Sequence, residues 1–181
     1  MTYKVRRVVT ADDRDGKAVV IIDDDYSAAP LPAHAAQWTA FNLWDNRSTP
    51  ADLQDHEGPT EVNVVDLQPP AGGGSFRMVW FEPVSSWSKT PQAPEGNRLL
   101  DGIGARDPGD TAAARHPMMH RTDTIDYAVV ISGECALVLD DSEVTVRAGD
   151  TIVQIGNNHA WVNRSDKPCQ IVFIMIDGNR G

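Results

Sequence analysis

Between Thr124 and Ile176 the chain breaks into short apolar runs at close, even intervals, each separated from the next by residues that favour turns. The runs are Tyr127 to Ile131, Ala136 to Leu139, Glu143 to Arg147, Thr151 to Ile155, Ala160 to Asn163 and Cys169 to Ile176. Between them stand Ser132-Gly133-Glu134, Asp140-Asp141-Ser142, Ala148-Gly149-Asp150, Gly156-Asn157-Asn158 and the stretch from Arg164 to Pro168. The runs are too short for amphipathic helices and rich in residues that suit a pleated surface, which makes them an antiparallel meander. So many short strands protect their edges only by packing as two sheets or closing into a barrel. An all-β barrel is therefore expected.

The first half of the chain is looser. Lys17 to Ile22, Trp38 to Trp44, Val62 to Leu67 and Phe76 to Phe81 read as further strands, set among loops containing Pro30, Pro32, Pro50, Pro59, Pro69 and Pro70. Gly72-Gly73-Gly74 predicts a tight bend before the Phe76 strand. Residues 85–115 show no sustained strand period, only a suggestion of a helical turn at Arg98 to Ile103, and read as a loop insertion facing substrate or solvent. A chain of 181 residues can close one sizeable core. One structural domain is expected, with residues 1–73 as an N-terminal strand extension packing on the barrel or on a partner subunit, and residues 74–181 as the barrel. Trp80, Phe81, Phe173, Met175 and Val129 to Ile131 are its expected core.

Charge and composition narrow the partners. A formal net charge of −10 is spread along the chain and opposes binding to phosphate backbones, so nucleic acid is not expected. No run of about 18 apolar residues is present to span a membrane, and the N-terminal stretch lacks the apolar segment of a secretory signal, which predicts a cytoplasmic protein with no membrane partner. Cys135 and Cys169 have no paired zinc-ligand spacing and are expected as buried small hydrophobes. Asp12-Asp13 and Asp23-Asp24-Asp25 lack the spacing of a calcium loop and read as solvated turns.

The chemistry gathers where polar residues interrupt the strands. His120, Thr122, Thr124 and Asp126 alternate with Arg121, Asp123 and Ile125, and a strand's period of two sends the first set to one face. His159 follows the Gly156-Asn157-Asn158 turn and opens a strand, with Trp161 two residues on. A single histidine on an apolar strand is ordinarily a core residue bonded to a backbone carbonyl. Two histidines and a carboxylate form a set that a divalent transition metal takes as ligands, or that serves as general acid and base. Trp161 either stacks on a flat substrate or fills the barrel mouth, and Tyr127 is expected to face away from the pocket.

These residues resemble a known family. The stretch from His120 through Asp126 to Gly133 is similar to the first cupin motif, in which a His-x-His pair is followed by an acid and a glycine turn. Gly149 to Asn163 is similar to the second, which supplies the last metal-binding histidine, here His159, and an asparagine. More narrowly, HRTDTIDY with NHAWVNRSDKPC resembles single-domain cupins of bacteria and of fungal secondary-metabolite gene clusters. The resemblance implies a double-stranded β-helix (jelly-roll) barrel in which His120, Asp126 and His159 hold iron, manganese, zinc or nickel. Thr122 stands where the family has its second histidine and Asp126 where it has a glutamate, which leaves three ligands at most, with His116 as a possible replacement interrupted by Pro117.

Three functions are compatible with this reading. The first is a metal-dependent enzyme (dioxygenase, decarboxylase, isomerase or lyase) acting on a small oxygenated organic molecule, with His120, Asp126 and His159 catalytic and Thr122, Trp161 and His116 around them. The second is a metal-free lyase or isomerase using the same groups as acid and base. The third is a non-catalytic ligand-binding cupin. A homodimer is expected, since cupin barrels commonly pair through N-terminal strands and Trp38, Phe41 and Trp44 have no obvious place in a small core.

Overall fold

The computed structural model describes residues 3–27, 38–56, 58, 66–86 and 114–181. Two strands, β1 (Lys4–Asp12) and β2 (Ala18–Ser27), form an antiparallel hairpin. A five-stranded sheet follows the order β3-β4-β10-β5-β8, built from β3 (Trp38–Asn46), β4 (Gly74–Phe81), β5 (Thr124–Ser132), β8 (Thr151–Ile155) and β10 (Cys169–Asp177). A three-stranded sheet follows the order β7-β6-β9, from β6 (Glu134–Val138), β7 (Glu143–Arg147) and β9 (Ala160–Val162). The expected strands from Thr124 onward are all present. Val62 to Val65 and Arg98 to Ile103 lie outside the described residues, as does most of the 85–115 insertion.

Strand alternation decides what goes inside. On β5, Thr124, Asp126, Ala128 and Val130 are buried, while Tyr127, Val129 and Ile131 are exposed. Tyr127 thus faces away from the pocket as expected. Val129 and Ile131, expected in the core, point outward, because β5 offers its interior only every second residue. The main core joins Val79, Ala128, Val130, Ile171, Phe173 and Met175 of the larger sheet to Cys135 and Val146 of the smaller. Cys135 and Cys169 are free, buried and part of this packing.

The aromatic residues before the barrel have places within the chain. Phe41 is completely buried edge-on to Trp80, at a centroid distance of 5.4 Å, and Tyr3 of the hairpin stacks on the same indole at 4.8 Å. The hairpin therefore covers the outside of β3 and β4, and Trp80 faces it rather than the barrel interior. On β2, Asp23 and Asp24 pair with Arg6 and Arg7 of β1, so these acids are strand residues with cationic partners rather than a solvated turn.

The bend before β4 is fixed by a close approach. A Cβ on Gly73 would lie 2.0 Å from the Asn46 carbonyl oxygen, whereas one on Gly72, at φ +72°, would meet nothing within 4 Å. Gly73→Ala must displace backbone and is expected to cost about 2–3 kcal/mol, roughly 5–10 °C in Tm. Gly72→Ala carries only the left-handed backbone penalty of about 1 kcal/mol. Thermal melts of the two variants check this, and equal losses would contradict the packing argument.

Candidate active site

His120 and His159 face each other across the barrel mouth. Each donates its backbone N–H to the other's carbonyl, at 2.9 and 3.0 Å, which sets the side chains on one side of a two-residue antiparallel bridge. The imidazole centroids are 4.4 Å apart and the ring planes meet at 50°. His120 Nδ1 lies 2.9 Å from the Met118 carbonyl and His159 Nδ1 lies 3.0 Å from the Asn157 carbonyl. A carbonyl only accepts, so both Nδ1 atoms carry the proton and both Nε2 atoms are left as lone-pair acceptors.

Burial keeps the pair neutral. It pushes the His159 imidazole down to about 3, with the nearby His120 adding to the fall, and it lowers His120 as well. His116 also lines the cavity, and its Nδ1 accepts the Met118 N–H at 3.2 Å, so its ring is tied to a turn at the cavity rim.

Asp126 enters the same cavity from β5. It is 3% exposed, and its Oδ1 has no hydrogen-bond partner among the described residues. Burial raises the carboxyl to about 6, held back by the Thr124 hydroxyl and the charge of Arg77. Thr122 is buried two residues before, and its Oγ1 accepts the Thr124 hydroxyl at 2.8 Å, so it supports the strand rather than the imidazoles.

Two cavity residues did not emerge from the sequence. Arg77 on β4 is 8% exposed, its Nε has no partner, and its Nη2 reaches only Ser75 Oγ at 3.3 Å and the Gln68 carbonyl at 3.5 Å. Burial lowers its pKa, opposed by Asp45, Asp66 and Asp126. Asn42 on β3 gives its Nδ2 to Asp45 at 2.7 Å and leaves its Oδ1 unpartnered. The signal for Arg77 was present: in Ser75-Phe-Arg77-Met-Val79-Trp-Phe81 the arginine shares a face with Val79 and Phe81, a charge on the buried side of an apolar strand.

The remaining wall is apolar. Trp161 lies 5.8 Å from Phe81, nearly parallel to it, and edge-on to Phe173 at 5.7 Å, while Trp38, Met118 and Met175 close the sides. The cavity has a volume of about 100 Å³.

A transition metal needs more than this donor set provides. The two Nε2 atoms are suited to coordination, but among the described residues no group of three His, Cys, Asp or Glu side chains stands close enough to hold one ion. Asp126 shares the cavity with the histidines without joining them in such a cluster, and a threonine hydroxyl is a poor substitute. A three-ligand centre from His120, Asp126 and His159, as the family motif implies, does not fit the described geometry.

A five-stranded and a three-stranded antiparallel sheet packed on one core form a cupin-type barrel. Residues 105–175 match the Cupin_2 family, described as the Cupin domain. The chain is 38% identical over 97 residues to "Phomopsin biosynthesis cluster protein C'" of Diaporthe leptostromiformis, covering 51% of this chain and 48% of the relative. It is 30% identical over 112 residues to "Cupin-domain-containing oxidoreductase fogC" of Aspergillus ruber, covering 53% and 55%. The chain thus spans about half the length of these curated relatives. Among solved structures, a sugar phosphate isomerase of the cupin superfamily from Silicibacter pomeroyi aligns with a TM-score of 0.42 at 17% identity, over 82% of this chain and 65% of that one. No helix among the described residues is long and apolar enough to cross a membrane.

Proposed function

We propose that this chain is an enzyme acting on a small oxygenated organic molecule by proton transfer, with Asp126 as general base. The observation that carries this reading is a carboxyl of pKa about 6, with an unpartnered Oδ1, in the same apolar-walled cavity as two neutral imidazoles and a buried arginine. At neutral pH Asp126 is mostly ionised yet poorly solvated, the state in which a carboxylate abstracts a proton most readily. Among the described residues the Arg77 guanidinium is the one Lys or Arg cation lining the cavity, and its Nε, which has no partner, can donate to the oxyanion that develops when a proton leaves the carbon beside a carbonyl. The His120 and His159 Nε2 atoms accept from a substrate hydroxyl and fix its position. This is the chemistry of an isomerase or lyase.

The imidazole pair also favours a second reading. Several relatives are described as cupin-domain-containing oxidoreductases, and two free Nε2 atoms are the part of a metal-binding cupin site that this chain retains. Metal analysis of protein purified without chelator, followed by activity before and after dialysis against EDTA, separates the two.

Proton abstraction can be read without knowing the natural substrate. Small enolisable ketones and hydroxyketones incubated with the protein in heavy water are expected to exchange their α-hydrogens for deuterium, followed by NMR. The rate should rise with pH through about 6 as Asp126 ionises. Exchange no faster than buffer across the panel, or a rate that falls as pH rises through this range, would refute the assignment of Asp126 as base.

A further inference from the structure

We infer that Gln154 is a positioning residue for Asp126: its side-chain amide donates to the buried Oδ1 from behind and leaves Oδ2 as the oxygen that meets substrate. The catalytic half of this inference rests on the reading of Asp126 as general base, while the contact itself stands on strand register and burial. Gln154 lies on β8 directly opposite Asp126 of β5. Both are 3% exposed, so both side chains enter the interior from the same face of the sheet. Directly opposed residues of an antiparallel pair have Cβ atoms about 4.5–5.5 Å apart, within reach of a glutamine amide. Asp126 lines the cavity and Gln154 does not, which puts the amide behind the carboxyl rather than beside the substrate.

Packing alone favours an apolar residue at this position. β8 is an edge strand, and Gln154 is its one buried residue, with Ile152 partly buried and the other three exposed. Ile152 packs on the main core, and a leucine or methionine at 154 would continue that packing. Instead, neither Oε1 nor Nε2 of Gln154 has a hydrogen-bond partner among the described residues, which leaves the amide desolvated without compensation. In register the row runs from Gln154 through Asp126, Met175 and Ser75 to Asp45, and Ser75 donates its hydroxyl to Asp45 at 2.6 Å. The far end of the row is satisfied. The two groups short of a partner, the Gln154 amide and Asp126 Oδ1, are neighbours at the near end.

They are also complementary. An ionised carboxylate only accepts, and an amide nitrogen only donates. The last torsion of glutamine is broad and soft, so Nε2 turns onto Oδ1 without moving the strand. Other groups reach the carboxyl from elsewhere: Arg77 from β4 by its charge and Thr124 from the same strand by its hydroxyl, while His120, His159 and Thr122 line the cavity with it. None of them occupies Oδ1. A carboxylate held at one oxygen keeps the other directed at the cavity, and losing that hold costs alignment rather than binding.

Nuclear magnetic resonance on the nitrogen-labelled full chain tests the contact without a substrate. The Gln154 amide signal is identified by its loss in Gln154→Met. One of its two protons is expected downfield of the ordinary glutamine position and slow to exchange with solvent, as befits a charge-assisted bond. Asp126→Ala should return it to the ordinary position, and Asp126→Asn, which leaves a neutral acceptor, should move it part of the way. Val153→Ala, at an exposed position on the opposite face of β8, should leave it in place. Deuterium exchange into the small ketones then reads the consequence. Gln154→Met, of similar length and volume, is expected to lower kcat roughly tenfold to a hundredfold while KM changes less than about twofold. A Gln154 amide at the ordinary position in the wild-type protein, or one indifferent to both Asp126 variants, overturns the inference. An unchanged kcat in Gln154→Met, or a loss carried by KM, overturns the positioning role. If the wild-type protein exchanges nothing, the general-base reading falls, and the amide signal still decides whether Gln154 holds Asp126.

Discussion

Between pH 6 and pH 4 the wild-type protein is expected to lose about 3 kcal/mol less stability than Asp126→Asn. Two buried groups titrate there with opposite signs. His159 has a folded pKa of about 3 against an ordinary 6.5, so below pH 6.5 the unfolded chain takes up a proton that the folded chain refuses, and stability falls as pH falls. His120 and His116, also lowered by burial, add in the same direction. Asp126 behaves oppositely. Its folded pKa of about 6 against 3.8 means that the folded state takes up its proton first, so stability rises as pH drops from about 6 toward 4. At about 1.4 kcal/mol per pH unit, a window of about two units is worth about 3 kcal/mol for Asp126, close to the amount His159 removes. Asparagine cannot titrate, so the variant keeps only the histidine loss. Urea denaturation of both proteins across this range measures it, and parallel stability profiles for the two proteins would show that Asp126 is not buried as described.

The strands from Thr124 onward could be read because their period of two and their turns are local properties. The same period, applied strictly, also separates Ala128 and Val130 from Val129 and Ile131, yet apolar content alone had put all of the last three inside. β1 escaped for a different reason. Its sequence Lys-Val-Arg-Arg-Val-Val-Thr-Ala-Asp carries charges in mid-strand whose partners, Asp23 and Asp24, lie on the next strand, and without that pairing the segment does not look like a strand. The site divides in the same way. His120, Asp126 and His159 were legible from alternation and motif, and all three line the cavity. What the motif could not give was their relation to one another, since cross-strand register and burial decide that the histidines pair while Asp126 stays out of a three-ligand cluster. Arg77 and Asn42 reach the cavity from strands some fifty and eighty residues earlier, which only the order β3-β4-β10-β5 brings beside Asp126.

Replacing Arg77 by Met tests that juxtaposition with the largest effect on turnover. The guanidinium is one of the influences holding the Asp126 carboxyl down to about 6, and burial alone would push it higher. Without the charge, Asp126 ionises at higher pH. The rise of deuterium exchange with pH in Arg77→Met is therefore expected to shift upward from about 6, by an amount that a purely structural role for Arg77 would not produce. Above that limb the rate should still lie roughly a hundredfold to a thousandfold below wild type, the usual cost of losing one donor to a developing oxyanion. Methionine fills much of the same volume, so the change in packing is small beside the change in charge. Arg77→Lys keeps the charge and is expected to restore the position of the limb. It should recover only part of the rate, because the ammonium cannot reproduce a donor held at the Nε position. A full rate in Arg77→Met would remove the arginine from the mechanism, and a reduced rate with an unmoved limb would place it in the packing of the barrel instead.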